Sequence, residues 1–258
     1  MPRSARILAF ANQKGGVAKT TTTLNLGVAL HELGHRVLAV DLDPQSNLSM
    51  SQGIDIETLG ATMYDVLVGN SGITEVIHAR EIDVAAAGIE LAGAELALAG
   101  IIGRERALQA ALEPVRDLYE YILIDTPPSL GLLTVNAAVA ADGIVVPVQT
   151  EYLSLRGLAQ LQSTLSQVRE HLNPHAEIVG ILPTMYDPRT VHAREALDVL
   201  RDSFGETVFE TRIGKTIRFA EAPVRGQSVL RYDPDGQAAA SYRRVARELL
   251  EAEQLVAA

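Results

Sequence analysis

At 258 residues, 47% of them apolar, the chain can build one large α/β domain or two small ones around a sizeable core. With no cysteine it forms no disulfide, no thiolate metal site and no cysteine-held iron–sulfur cluster, and no uncharged apolar run is long enough for a membrane-spanning helix. The formal net charge of −10 argues by itself against nucleic acid, yet eleven Lys/Arg against eight Asp/Glu lie between Arg189 and Arg247, half of the chain's 22 basic residues.

The N-terminal Met-Pro-Arg-Ser-Ala-Arg runs straight into an apolar stretch with no room for a signal peptide, so a cytoplasmic protein is expected. From there apolar runs alternate with helical patterns. That alternation predicts a doubly wound α/β fold: a mostly parallel sheet with helices on both faces, one domain over residues 1–258. The first strand is expected at 6–11, followed by a Gly-rich turn. A helix over 19–33 carries Leu24, Leu26, Val28, Leu30 and Leu33 and stops at Gly34. The second strand spans 36–41, and 44–80 reads as short helices. A third strand is expected at 82–87 and a helix over 89–118, punctuated by Gly93, Gly100 and Gly103. Next come a buried strand at 121–125, a helix at 131–140, a strand at 143–148 and a long helix at 153–171. The last third reads as a strand at 177–183, a helix at 189–203, a short strand at 207–210, a helical turn at 215–222 and a C-terminal helix at 236–254. No repeat or low-complexity linker divides the chain.

The turn after the first strand concentrates the chemistry. Gln13-Lys14-Gly15-Gly16-Val17-Ala18-Lys19-Thr20-Thr21 sits between a strand and a helix, the setting of a phosphate-binding loop. Glycines let consecutive N–H groups curl around an anion, and the helix adds its unpaired first-turn N–H groups and positive dipole end. Lys19 would reach the β/γ-phosphates and the Thr20 hydroxyl would ligate Mg²⁺. The strict G-x-x-x-x-G-K-[ST] pattern fails at Gln13 and Ala18, so the pattern alone leaves open a Gly-rich turn without a ligand. Two further strand ends carry carboxylates: Asp41-Leu-Asp43-Pro-Gln45, and Ile122-Leu-Ile-Asp125 followed by Thr-Pro-Pro-Ser-Leu-Gly. Carboxylates at such edges face the crevice where open α/β sheets bind ligands, and Asp125 stands where a Walker-B aspartate holds Mg²⁺. A turn or helix cap is the competing reading for each.

The string N-Q-K-G-G-V-x-K-T-T, with a second lysine ahead of the glycines, resembles the deviant Walker-A loop of the ParA/MinD ATPases, and within them the ParA (Soj) branch. Ala18 departs from that family, which usually has Gly there; a methyl group at this point would strain the backbone or crowd a phosphate. The resemblance extends from residue 7 to about 247. It implies a P-loop NTPase fold with ATP/ADP and Mg²⁺ as cofactors. Gln13, Lys14, Gly15, Gly16, Val17, Ala18, Lys19, Thr20 and Thr21 would cradle the nucleotide. Asp43 would orient the attacking water, and Thr20, Asp41 and Asp125 would surround Mg²⁺. Lys14 would cross a two-fold interface onto the partner's nucleotide in an ATP-sandwich homodimer. Thr184-Met185-Tyr186-Asp187 resembles the segment beside the base, to which Met185, Asp187 and Pro223 are assigned.

The family also implies nonspecific double-stranded DNA as a partner. Lys215 and Arg218 match positions that are usually basic, and Arg189, Arg194, Arg225, Arg243 and Arg244 are further candidates for contacts that salt would weaken. No helix-turn-helix extension precedes residue 6, so operator-specific repression is not expected. The implied protein partner is a ParB-like centromere-binding protein that stimulates slow ATP hydrolysis, and the implied location is nucleoid-associated cytoplasm. Two alternatives stand beside this reading. One is a MinD-like membrane-cycling ATPase, although the acidic C-terminal tail suits packing on the body better than a membrane surface. The other is a nonenzymatic DNA-binding protein in which Ala18 has impaired nucleotide binding.

Overall fold

The computed structural model describes residues 4–151 and 154–257. Its centre is a seven-stranded sheet whose strands, in chain order, are β1 (Arg6–Phe10), β2 (Val37–Asp41), β3 (Ile77–Ala79), β4 (Asp83–Ala85), β5 (Tyr121–Asp125), β6 (Gly143–Gln149) and β7 (Ile178–Thr184). In space the order is β3-β4-β2-β5-β1-β6-β7, parallel throughout except for β3, which pairs antiparallel with β4. The central strands are apolar on both faces because helices cover both. Ile7 and Ala9 join one core cluster, while Leu8 and Phe10 join the other.

Helix α1 (Lys19–Glu32) has four threonines, Thr20 to Thr23, of modest helix propensity in its first turns, so its own sequence does not account for it. Burial does: Leu24, Leu26, Val28, Ala29 and Leu30 are enclosed between the sheet and the C-terminal helix α11 (Gln237–Ala257). Gly27 permits that approach, since a Cβ there would stand 2.7 Å from Ile82 Cδ1. Tyr242 of α11 is fully buried with its hydroxyl 3.2 Å from Thr22 Oγ1, and Val245, Ala246 and Leu249 continue the seam. Farther along, Glu253 takes a 2.7 Å bond from Tyr121 and a 3.1 Å ion pair from Arg6. The expected packing of the tail on the body is what the structure has. Among the described residues, no helix is long and apolar enough to cross a membrane.

The expected elements recur with ends shifted by at most three residues, the strand at 121–125 without any shift; residue 153, expected to begin the long helix, lies outside the described residues. Three expectations are corrected. The helix expected over 89–118 is broken into α4 (Ala94–Leu98), α5 (Ala107–Leu112) and short 3-10 turns, with Gly103 at φ 77° between them. The strand expected at 207–210 is a single bridge from Val208 to Ile181, because Gly205 and a 3-10 turn leave too little extended chain to pair. Edge strand β3 had no apolar run to announce it: its three residues are half-buried or exposed and are held by backbone pairing. The remaining helices are α2 (Asn47–Ser51), α3 (Met63–Leu67), α6 (Leu132–Ala140), α7 (Ser154–His171), α8 (Val191–Phe204), α9 (Arg218–Val224) and α10 (Val229–Tyr232).

Candidate nucleotide site

Strands β1, β2 and β5 end side by side, with Asp41 and Asp125 in register. The three segments that leave these ends meet at the carboxyl edge of the sheet, where a doubly wound fold has its crevice. A cleft of about 770 Å³ opens there, lined among others by Gly15, Gly16, Ala18, Lys19, Thr20, Thr21, Asp43 and Pro128. It is large enough for a nucleotide.

The loop between β1 and α1 is anchored at several points. Asn12 Nδ2 donates to the Pro147 carbonyl at 2.8 Å, and Asn12 Oδ1 accepts the Lys14 N–H at 2.9 Å. Val17 is buried and its carbonyl accepts Thr184 Oγ1 from the end of β7 at 3.1 Å. Gly16 turns the chain with φ 72° in open space. Ala18 follows at φ 69°, ψ 34°, in the left-handed region, and is the residue preceding α1; the first helical bond runs from Thr22 N to its carbonyl at 2.9 Å. The expected strain at this departure from the family is therefore present in the backbone. The first-turn N–H groups of α1 have no partner within the helix.

Below the loop lies a buried charge cluster. Lys19 Nζ donates to the Asn12 carbonyl at 3.2 Å, and burial lowers its pKa against the opposing pull of Asp125 and Asp43. Asp125 is fully buried, its pKa raised by burial and by the neighbouring Asp41. One of its oxygens accepts Thr23 Oγ1 at 3.4 Å, the Thr20 hydroxyl lies alongside, and the other, Oδ2, is buried without a partner. Asp41 is fully buried too, its pKa pushed up to about 6 by desolvation. Its Oδ1 accepts the Asp43 N–H at 3.2 Å, and its Oδ2 accepts both the Ser49 N–H at 2.9 Å and Ser49 Oγ at 2.7 Å.

A carboxylate whose oxygens are filled by its own chain is a poor match for the expected Mg²⁺-side role, which shifts the emphasis from Asp41 to Asp125. Among the described residues no group of three or more His, Cys, Asp or Glu is placed to hold a metal ion by itself. Mg²⁺ commonly keeps water and phosphate oxygens and takes only one or two protein ligands. The orphaned Asp125 Oδ2 and the adjacent Thr20 hydroxyl are the groups that could supply such a pair. Asp43 lines the cleft with its Oδ1 accepting the Gln45 N–H at 2.9 Å, so its carboxylate is fixed at the wall.

Other expected residues are distributed less evenly. Met185, at φ 52°, and Pro223 line the cleft, whereas Gln13, Lys14, Val17, Asp41, Asp125 and Asp187 are not among its lining residues. Asp187 is instead clamped by Arg189, which donates from its backbone N–H and two guanidinium nitrogens at 2.8–3.0 Å. Lys14 Nζ lies over the end of β6, 2.9 Å from Gln149 Oε1 and 3.2 Å from Glu151 Oε2.

Of the basic candidates for DNA, Arg189 pairs with Asp187, Arg218 with Glu221 and Asp233, and Arg243 with Glu32, while Arg244 bonds Ser241. Arg194, Lys215 and Arg225 are exposed and have no ion pair among the described residues. Lys215 also lines the cleft, held near it by Ile213, whose N–H bonds Pro183 and whose carbonyl accepts Tyr186 N. Sequence reasoning did not single out Asn12, Ser49, Asn47, Ser51 or Thr216. Asn12 precedes the loop and carried a readable polar signal; Ser49 is joined to Asp41 only by the fold.

The AAA domain family AAA_31 matches residues 5–178. The chain is 44% identical to the sporulation initiation inhibitor protein Soj of Bacillus subtilis, over 95% of this chain and 98% of Soj. It is 43% identical to the chromosome partitioning protein ParA of Caulobacter vibrioides, over 96% of this chain and 95% of that protein. Among solved structures it is similar to the cobyrinic acid a,c-diamide synthase of Mycobacterium smegmatis with bound ADP and magnesium, at TM-score 0.86 and 39% identity, covering 97% of this chain and 96% of the other. It is also similar to the cell division ATPase MinD of Pyrococcus furiosus, at TM-score 0.76 and 25% identity, covering 96% and 99%.

Proposed function

We propose a nucleotide-gated switch for DNA segregation, on the premise that this chain belongs to the ParA (Soj) family. It is a ParA-like ATPase with ATP/ADP and Mg²⁺ as cofactors. The observation that carries the chemical part is the convergence of Lys19, Thr20 and Asp125, with one buried Asp125 oxygen lacking a partner, beneath the cleft that Asp43 lines.

In this reading Mg-ATP supplies the phosphoanhydride bond that water cleaves to ADP and phosphate. The Gly15–Thr21 backbone binds the phosphates through its N–H groups. Lys19 moves from the Asn12 carbonyl toward the β/γ-phosphates, where a neighbouring anion favours its charged form. Thr20 and Asp125 would hold the metal, and Asp41, bonded to Ser49 and to the Asp43 N–H, fixes the turn that carries Asp43. Asp43 orients the attacking water; positioning suffices, because phosphoryl transfer depends little on a strong base. Met185, Lys215 and Pro223 line the remainder of the cleft toward the base, and Asp187 serves there by ordering the 185–190 turn with Arg189. Intrinsic turnover is slow.

Lys14 acts across a two-fold axis. In one chain it rests on Gln149 and Glu151; in an ATP-bound homodimer it leaves them and places its charge on the partner's nucleotide. The dimer binds nonspecific double-stranded DNA through Arg194, Lys215 and Arg225, with Arg189, Arg218, Arg243 and Arg244 available once their present partners are exchanged for phosphates. A ParB-like centromere-binding protein stimulates hydrolysis and resets the dimer, and the protein resides on the nucleoid.

The test is DNA binding by purified protein with Mg²⁺ and ATP, ADP or no nucleotide at two salt concentrations. Binding that requires ATP and weakens with salt is expected. Equal binding in all three states would overturn the switch, and no binding in any state would remove DNA as the partner.

A further inference from the structure

The segment 126–131 leaves the end of β5 directly after Asp125, passes Pro128 in the cleft wall and enters α6. Three side-chain bonds fix it. Thr126 Oγ1 donates to the Phe10 carbonyl at 2.7 Å, and Thr134 Oγ1 donates to the Ser129 carbonyl at 2.6 Å. The third comes from elsewhere in the chain: Glu95 of α4 accepts the Leu132 N–H through Oε1 at 2.8 Å. Residue 131, which would ordinarily supply a cap for α6, is glycine and has no side chain to do so.

The glycine and the glutamate fit one another. A Cβ built on Gly131 would lie 2.1 Å from Glu95 Oε1, so the carboxylate occupies the space that any other residue at 131 would fill. A negative charge at this end of α6 is also favoured by the helix dipole. A second clamp joins the same two regions, with Asn136 of α6 accepting the Leu108 N–H at 3.1 Å and donating to the Arg104 carbonyl at 2.9 Å. Asn136 acts on the second turn of α6; Glu95 acts on the first, nearest Asp125.

We propose that Glu95 is a positioning residue for ATP hydrolysis: by capping α6 in place of residue 131 it sets the stance of the segment that runs from Asp125 past Pro128. The kinetic half of this inference rests on the ATPase reading above; the structural half does not. Glu95 belongs to a five-residue helix with exposed Leu96 beside it. So short a helix has little stability of its own, and whatever binds or shifts it is felt at the Leu132 amide.

The test compares Glu95→Ala, Glu95→Gln, Gly131→Ala and, as a neighbouring control, Glu90→Ala. Backbone amide exchange over 129–135 is measured without nucleotide, and steady-state ATP turnover is measured separately. Losing the cap is expected to speed exchange at Leu132 about fivefold in Glu95→Ala and in Gly131→Ala, which displaces the carboxylate. Glu95→Gln keeps an acceptor oxygen and stays near wild type, as does Glu90→Ala. In the two fast-exchanging variants kcat falls at least threefold while the KM for ATP stays within twofold. Unchanged exchange in Glu95→Ala would overturn the capping role. Faster exchange with unchanged kcat would reduce the contact to local structure and overturn the positioning role. A wild-type protein that hydrolyses no ATP would instead sink the ATPase reading, and the kinetic half of this inference with it, while the exchange comparison still decides the contact.

Discussion

Ala18→Gly isolates the one backbone feature that sets this loop apart. Ala18 sits at φ 69° and ψ 34°, a conformation in which Cβ crowds the following carbonyl. The cost for a residue with a Cβ is about 1–2 kcal/mol, and glycine escapes it. Glycine gives back about 0.5–1 kcal/mol because its unfolded chain is freer. The net expectation is a stabilisation of about 0.5–1 kcal/mol. For a chain of this size that raises Tm by about 1–4 °C. Calorimetry or circular dichroism on the nucleotide-free protein measures it, with Ala18→Val as the opposite arm: a branched side chain in the same backbone state lowers Tm. Because Ala18 also lines the cleft, ADP titration on the same proteins separates two effects. A raised Tm with unchanged affinity means that the methyl strains only the backbone. A tighter ADP complex means that it crowds the phosphates as well. A Tm for Ala18→Gly at or below wild type would refute the strain argument.

Asp125→Asn removes a buried carboxylate whose charged form is disfavoured, so the nucleotide-free protein should be no less stable than wild type, while Mg²⁺-dependent ADP binding falls at least tenfold, about 1.4 kcal/mol; thermal melts and titrations with and without Mg²⁺ check both halves. Lys14→Gln should leave ADP affinity within about twofold, since Lys14 lies over Gln149 and Glu151 and does not line the cleft, yet abolish the ATP-dependent dimer seen by light scattering. Gly27→Val should destabilise the fold by about 1–3 kcal/mol in urea, because a Cβ there already lies 2.7 Å from Ile82 Cδ1 and 3.2 Å from Leu123 Cδ1.

The parallel sheet was legible because its strands are short apolar runs spaced by helical patterns, and the site was legible where chemistry follows those runs directly: Gly15 to Thr21 after β1, Asp43 after β2, Asp125 at the end of β5. What could not be read is what long-range packing decides. Ser49 takes up Asp41 across eight residues, a contact with no local pattern, so Asp41 looked as available as Asp125. The guanidinium group of Arg243 reads as free charge in the sequence, but it meets Glu32, 211 residues away; Arg189 and Arg218, by contrast, pair locally with Asp187 and Glu221. The break of the 89–118 segment was foreshadowed by its three glycines; where the pieces would settle was not, because a few side-chain hydrogen bonds of Glu95 and Asn136 join them to α6.

That charge accounting bears on how a chain of net charge −10 could hold DNA at all. An arginine already paired with a carboxylate must exchange one anion for another, so it adds little to binding that depends on releasing counterions. Arg194, Lys215 and Arg225 lose no ion pair on meeting a phosphate, and Lys215 is shared with the nucleotide cleft. Three contacts give a salt slope of about −2.7, and twice as many in a dimer about −5.4. Affinity built from three weak contacts in one chain stays low; joining two such sets on one duplex makes the second set intramolecular and multiplies the affinity without any new contact. Dependence on ATP would then follow from dimerisation alone, with no rearrangement of the basic residues themselves. A measured slope near −5 with ATP supports this arithmetic, and a slope near −13, which all seven basic candidates would give in a dimer, would show that the ion pairs of Arg189, Arg218 and Arg243 open on DNA.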